Sequence, residues 1–176
     1  MKYRDELRKA MKMLGEHSET VFLGQSVEVE GTGMFGTLKD VPSAKKLEMP
    51  VCEDFQMGIT NGLALDGKIP VSIFPRWNFF LLAANQLINH LDKMPIFSGF
   101  KTKVIVRVGI GSERPLHPQS QHVGDFTDAY RLMTSNIQFI RLIEPHQILP
   151  AYELALNRTD GKSTVIVEYG DYYNEK

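Results

Sequence analysis

One cysteine, Cys52, and one tryptophan, Trp77, occur in the 176 residues. The lone cysteine excludes an internal disulfide and a cysteine-built metal cluster, and points to a reducing, cytoplasmic setting. No apolar run approaches the roughly 20 residues a membrane-spanning helix needs. The opening MKYRDELRKAMKML is too charged for a secretory signal. Charges nearly cancel, 20 basic residues against 21 acidic ones, so neither nucleic acid nor an anionic membrane is indicated as a partner. Repeats, low-complexity tracts and linkers are lacking as well, and 43% hydrophobic residues are enough to build one core. A single domain over residues 1–176 is the expectation.

Within that domain, strand-like and helix-like patterns alternate. Tyr3 to Leu14 reads as an amphipathic helix, with Leu7, Ala10, Met11 and Leu14 at helical spacing. Apolar runs at 20–24, 46–51 (KLEMPV), 69–74, 103–109, 137–143 and 163–170 read as strands. The glycine-rich stretch between the first two reads as a loop. Helices are expected over 53–65, stopping at Asp66-Gly67, over 78–91, over Phe126 to Met133, and from about His146 to Leu156. In the 78–91 segment Phe79, Leu82, Ala83, Gln86, Leu87 and Leu91 fall on one face. The alternation predicts an α/β fold, three layers with a mainly parallel central sheet covered on both sides. Ligands of such sheets bind beyond the carboxyl ends of the strands. Glu53, the Phe74–Phe79 segment and the 109–125 loop are therefore predicted to share one rim.

Taken singly, the polar residues have ordinary readings. Glu53 and Asp54 would complement the positive end of a helix dipole, and Gly58 and Gly62 would let that helix pack closely. Trp77, Phe79 and Phe80 read as core or interface. His117 and His122 lie in a polar loop without a nearby carboxylate pair, which makes a poor metal site. Gly31-Thr32-Gly33 and Gly109-Ile110-Gly111 lack the lysine or third glycine of nucleotide loops.

Read in order, these residues form a pattern: Met49-Pro50-Val51-Cys52-Glu53, then Gly58 to Gly67, Pro70 to Phe74, Phe79, Asn85 to Asn89, Ser98-Gly99-Phe100 and Gln121-His122-Val123-Gly124. The whole chain thereby resembles the pyrimidine-binding domain of the transketolase-like thiamine-diphosphate enzymes, most closely the beta subunits of pyruvate and branched-chain 2-oxoacid dehydrogenases. The resemblance implies a thiamine-diphosphate-binding fold. It implies that Glu53 bonds N1′ of the cofactor's aminopyrimidine, promoting loss of the thiazolium C2 proton. Phe79 would stack on that ring, with Leu82 and Pro75 beside it, and His122 would stand near the reacting carbon. Against the family pattern, Gln25-Ser26 replaces an acidic pair, Leu82 a glutamine, Pro75 an apolar residue, and Val123-Gly124 a Ser-Gln pair.

The resemblance also implies a partner. The chain has no Gly-Asp-Gly…Asn motif for Mg²⁺ and diphosphate, so both would be held by a diphosphate-binding alpha-like subunit, in a homodimer or an α2β2 heterotetramer. Residues around Trp77 to Leu87 would supply part of that interface. STVIVEYGDYYNEK matches the family domain's last strand, which predicts that the usual C-terminal domain is missing. Two functions follow: a subunit of an enzyme acting on a 2-oxoacid or ketose donor, such as a dehydrogenase, a decarboxylase or a split transketolase, or a non-catalytic binding or regulatory module that keeps the fold.

Overall fold

The computed structural model describes residues 2–114 and 117–175; Pro115 and Leu116 of the expected 109–125 loop lie outside the described residues. Six strands, β1 (Thr20–Gly24), β2 (Lys46–Glu48), β3 (Ile69–Phe74), β4 (Ile105–Ile110), β5 (Ile137–Arg141) and β6 (Ser163–Tyr169), form one sheet in the order β2-β1-β3-β4-β6-β5. Every pairing is parallel. Strands β3, β4 and β6 are buried almost throughout, as their near-continuous apolar sequences require of strands covered on two faces.

One face carries α1 (Tyr3–Glu16) and α6 (Ile148–Asn157). Leu7, Met11 and Leu14 of α1 join Ile148, Tyr152 and Ala155 of α6 in a core cluster. The opposite face carries α2 (Glu53–Leu65), the segment opened by α3 (Trp77–Phe80), and α5 (Thr127–Met133). Met57, Trp77, Phe80, Leu87 and Tyr130 make the second cluster there. Two four-residue helices, α4 (Met94–Phe97) and α7 (Tyr172–Glu175), have no counterpart in the sequence reading. Each is too short to show a helical period.

Helix α2 forms over the expected residues and ends at Gly67, whose φ of +83° suits a left-handed cap that glycine adopts without strain. Polar bonds lock it to the sheet. Gln56 Nε2 donates to Ser72 Oγ and to the carbonyl of Ile73, both at 3.0 Å, and Thr60 Oγ1 bonds Ser72 Oγ. These bonds fix where Glu53, one turn before Gln56, must stand.

The strongest helical pattern is realised differently from the expectation. Residues 77–91 run through α3, a 3₁₀ turn at Leu81–Ala83 and a π turn at Gln86–Leu91. Tight turns space inward residues by three and wide turns by four. The buried series is accordingly Trp77, Phe80, Ala83, Leu87 and Leu91. A uniform 3.6-residue period wrongly placed Phe79, Leu82 and Gln86 on that face. The same geometry corrects the interface reading. Trp77 and Phe80 are core residues, while Leu81 and Leu82 are 38% and 66% exposed.

Candidate functional site at the strand ends

The strand order reverses between β1 and β3, because β1 leads outward to β2 while β3 leads inward to β4. Sheets of this kind open a crevice at that switch point. Here a cleft of about 470 Å³ lies there, lined by Gln25 after β1, Pro75, Arg76 and Phe79 after β3, and residues 109–112 at the end of β4. Close approach of the main chain beside it depends on glycine. A Cβ at Gly24 would sit 2.4 Å from the Ile73 carbonyl oxygen, and one at Gly109 would sit 2.5 Å from that of Pro75.

The lip formed by residues 26–29 is held by Glu48, the last residue of β2. Its carboxylate accepts the backbone N–H groups of Ser26, Val27 and Glu28 at 2.6–2.8 Å and that of Val29 at 3.3 Å. Ser26 thereby keeps a left-handed φ of 57°, which costs a non-glycine residue energy. Partial burial pushes the Glu48 carboxyl up, but the four N–H bonds outweigh it and hold the group below its ordinary value. A depressed carboxylate stabilises the fold above its unfolded pKa and loses that contribution as pH falls through the folded value. Urea unfolding at stepped pH should therefore show stability declining below about pH 4.3, with a shallower decline in Glu48→Gln. Identical acid limbs in the two proteins would remove Glu48 from this role.

Glu53 is 5% exposed at the first turn of α2, and Gln25 Nε2 donates to its Oε1 at 3.4 Å. Phe79 is half-buried, and its ring meets His122 edge-on at 5.5 Å between centroids. His122 lies in a 3₁₀ turn at Ser120–His122, with its Nδ1 buried and without a partner among the described residues. Arg76 fastens this loop, donating from Nη1 to the carbonyls of Gly111 (2.8 Å) and His122 (3.0 Å). Thus Pro75 and Phe79 line the cleft, Glu53 joins it through Gln25, and His122 joins it through Phe79 and Arg76. Leu82 does not join them; it is exposed outside the lining. Where Gly124 replaces the longer side chain of the family pattern, a Cβ would stand 2.6 Å from the Phe126 ring. Among the described residues no group of three or more His, Cys, Asp or Glu is placed to hold a metal ion. No described helix is long and apolar enough to cross a membrane.

Comparison with solved structures places this architecture. A split-gene transketolase, an inactive β4 tetramer, superposes with a TM-score of 0.65 at 18% identity, over 96% of this chain and 51% of that one. The transketolase of Campylobacter jejuni subsp. jejuni NCTC 11168 gives 0.66 at 16% identity, over 94% and 25%. The chain therefore shares its fold with part of each of these transketolase structures. A curated pyruvate dehydrogenase E1 component subunit beta, from Gracilaria tenuistipitata var. liui, is 27% identical to this chain over 180 residues. That alignment takes in 98% of this chain and 54% of the relative, so the chain spans about half the relative's length. No family model matches the sequence.

Two residues of the site escape the sequence signals. Gln25 was noted only as a departure, yet it is the residue that reaches Glu53. Arg76 went unremarked, although a cation at the carboxyl end of a buried strand was a usable signal. Both Gly-x-Gly stretches, which lack the features of nucleotide loops, line the cleft.

Proposed function

We propose that this chain is the pyrimidine-binding, beta-like subunit of a split thiamine-diphosphate enzyme acting on a 2-oxoacid or ketose donor. The observation that carries the reading is Glu53. It is a buried carboxylate with one long hydrogen bond, at the strand-end rim beside the Phe79–His122 pair. Such a group has acceptor capacity to spare for a ring nitrogen, and low local polarity strengthens the bond it makes. The half-buried Phe79 ring offers an apolar plane for a flat heterocycle. The donor set therefore fits an aminopyrimidine.

In this reading Glu53 holds and shares the proton at the pyrimidine nitrogen, and Gln25 keeps that carboxylate in place. Phe79 and Pro75 orient the ring, and His122 donates toward charge that develops on the substrate. Thiamine diphosphate, when bound, supplies the electron sink for the substrate's carbonyl carbon. Mg²⁺ and the diphosphate belong to an alpha-like partner subunit, as an α2β2 assembly or a comparable multimer. The relative's designation as a subunit beta and the neighbour's description as a split-gene protein support this division.

Calorimetric titration of thiamine diphosphate and Mg²⁺ tests the assignment, with the chain alone and mixed with a candidate diphosphate-binding subunit. Heat of binding is expected only from the mixture. A well-folded complex that binds no cofactor would favour the non-catalytic module, a reading to which the exposed Leu82 and the crowded Gly124 lend support.

A further inference from the structure

Arg76 is a cation without a counter-ion among the described residues. The chain has eight arginines, and six of them pair with a carboxylate. Arg4 and Arg76 have no such partner among the described residues, and only Arg76 lines the cleft. Its Nη1 is committed to the Gly111 and His122 carbonyls, which fix the guanidinium in place. Nε and Nη2 find no acceptor among the described residues. Burial lowers its pKa, and no neighbouring carboxylate opposes that effect.

The surroundings are complementary to negative charge. Among the described residues the cleft lining contains no aspartate or glutamate. It presents the hydroxyls of Ser26, Thr32 and Ser112 and the glycine backbone at 31, 33, 109 and 111. Thr32 Oγ1 is buried there with no hydrogen-bond partner among the described residues, an arrangement that costs stability unless a ligand completes it. A fixed guanidinium fork, an unsatisfied hydroxyl and exposed main chain together make an oxyanion receptor.

We propose that the Arg76 side of the cleft is an oxyanion subsite that seats the carboxylate or phosphate end of the substrate. The assignment to substrate rests on the reading above, in which the Phe79 side takes the aminopyrimidine. Arg76 and Thr32 bind the anion directly, and Arg76 also holds the 111 and 122 loops against it. It is thus a specificity residue whose removal weakens binding of any anionic substrate.

The full chain, labelled with ¹⁵N, can be titrated with inorganic phosphate and separately with acetate, against sodium chloride at equal ionic strength. Saturable shifts are expected at the N–H groups of Gly33, Gly111 and Ser112 and at Arg76 Nε–H. Saturation by phosphate alone assigns a phosphorylated substrate, and saturation by acetate assigns a carboxylate. Arg76→Gln should weaken binding about tenfold, the scale of one charge-assisted hydrogen bond. Should that variant fail to fold, Thr32→Val decides, because it leaves both Arg76 carbonyl bonds intact; weaker binding supports the subsite and unchanged affinity overturns it. Shifts no different from those in chloride overturn it as well. These titrations contain no thiamine diphosphate, so failure of the cofactor reading and failure of the subsite are read separately.

Discussion

On the proposed function, Glu53→Gln should lower turnover by roughly 10²- to 10⁴-fold in the chain reconstituted with a diphosphate-binding subunit, the range for loss of a positioned acid–base group. Glutamine has the size of glutamate and keeps an oxygen that can accept from Gln25, as Glu53 Oε1 does. It cannot hold or exchange the carboxyl proton. The fold should therefore survive while the chemistry fails, since the Gln56 and Thr60 bonds that anchor α2 are untouched. Steady-state turnover, with thermal unfolding as the control, makes the comparison. Unchanged turnover would remove Glu53 from the mechanism.

The second large effect concerns stability. Arg107 on β4 and Glu168 on β6 are both fully buried and joined through Nε–Oε1 at 2.6 Å and Nη2–Oε2 at 2.8 Å. The hydroxyls of Tyr152 and Tyr173 also donate to the carboxylate, and burial together with the Glu168 charge raises both phenols far above their ordinary range. Removing one member strands the other charge in the core, which costs about 3–5 kcal/mol. At this chain length such a loss lowers the melting temperature by roughly 10 °C. Glu168→Gln should show that drop in calorimetry. The double variant Arg107→Met with Glu168→Leu should recover much of it, because an apolar pair leaves no charge unpaired. A drop of only a degree or two in the single variant would mean that the stranded guanidinium is solvated. Tyr173 also lines the cleft, so the single variant should loosen that wall as well.

Much of this fold was legible in the sequence because its dominant signals are local. Residues 20–24 and 69–74 form strands, and 53–65 a helix, at the expected bounds. Apolar runs between turn residues leave few alternatives there. The sheet is parallel throughout, which the alternation of strands and helices anticipated. The 77–91 segment failed because periodicity assumes one helical pitch, and three pitches occur within fifteen residues. Glu53, Pro75, Phe79 and His122 stand at one rim, as the strand topology suggested. Gln25 and Arg76 escaped because their importance lies in what they lack or reach across space. Arg76 is notable for an absent carboxylate, and Gln25 for a contact 28 residues away.

The close glycine contacts have a consequence for altering ligand choice. Because Gly24 and Gly109 leave no room for a Cβ beside the Ile73 and Pro75 carbonyls, a side chain at either position would force β1 or β4 away from the end of β3. Variation is confined to the rim, at Gln25, Thr32, Arg76 and Ser112. A directed-evolution library at those four positions would sample new ligands on an unaltered foundation, whereas the same diversity spent on the two glycines would yield mostly insoluble protein.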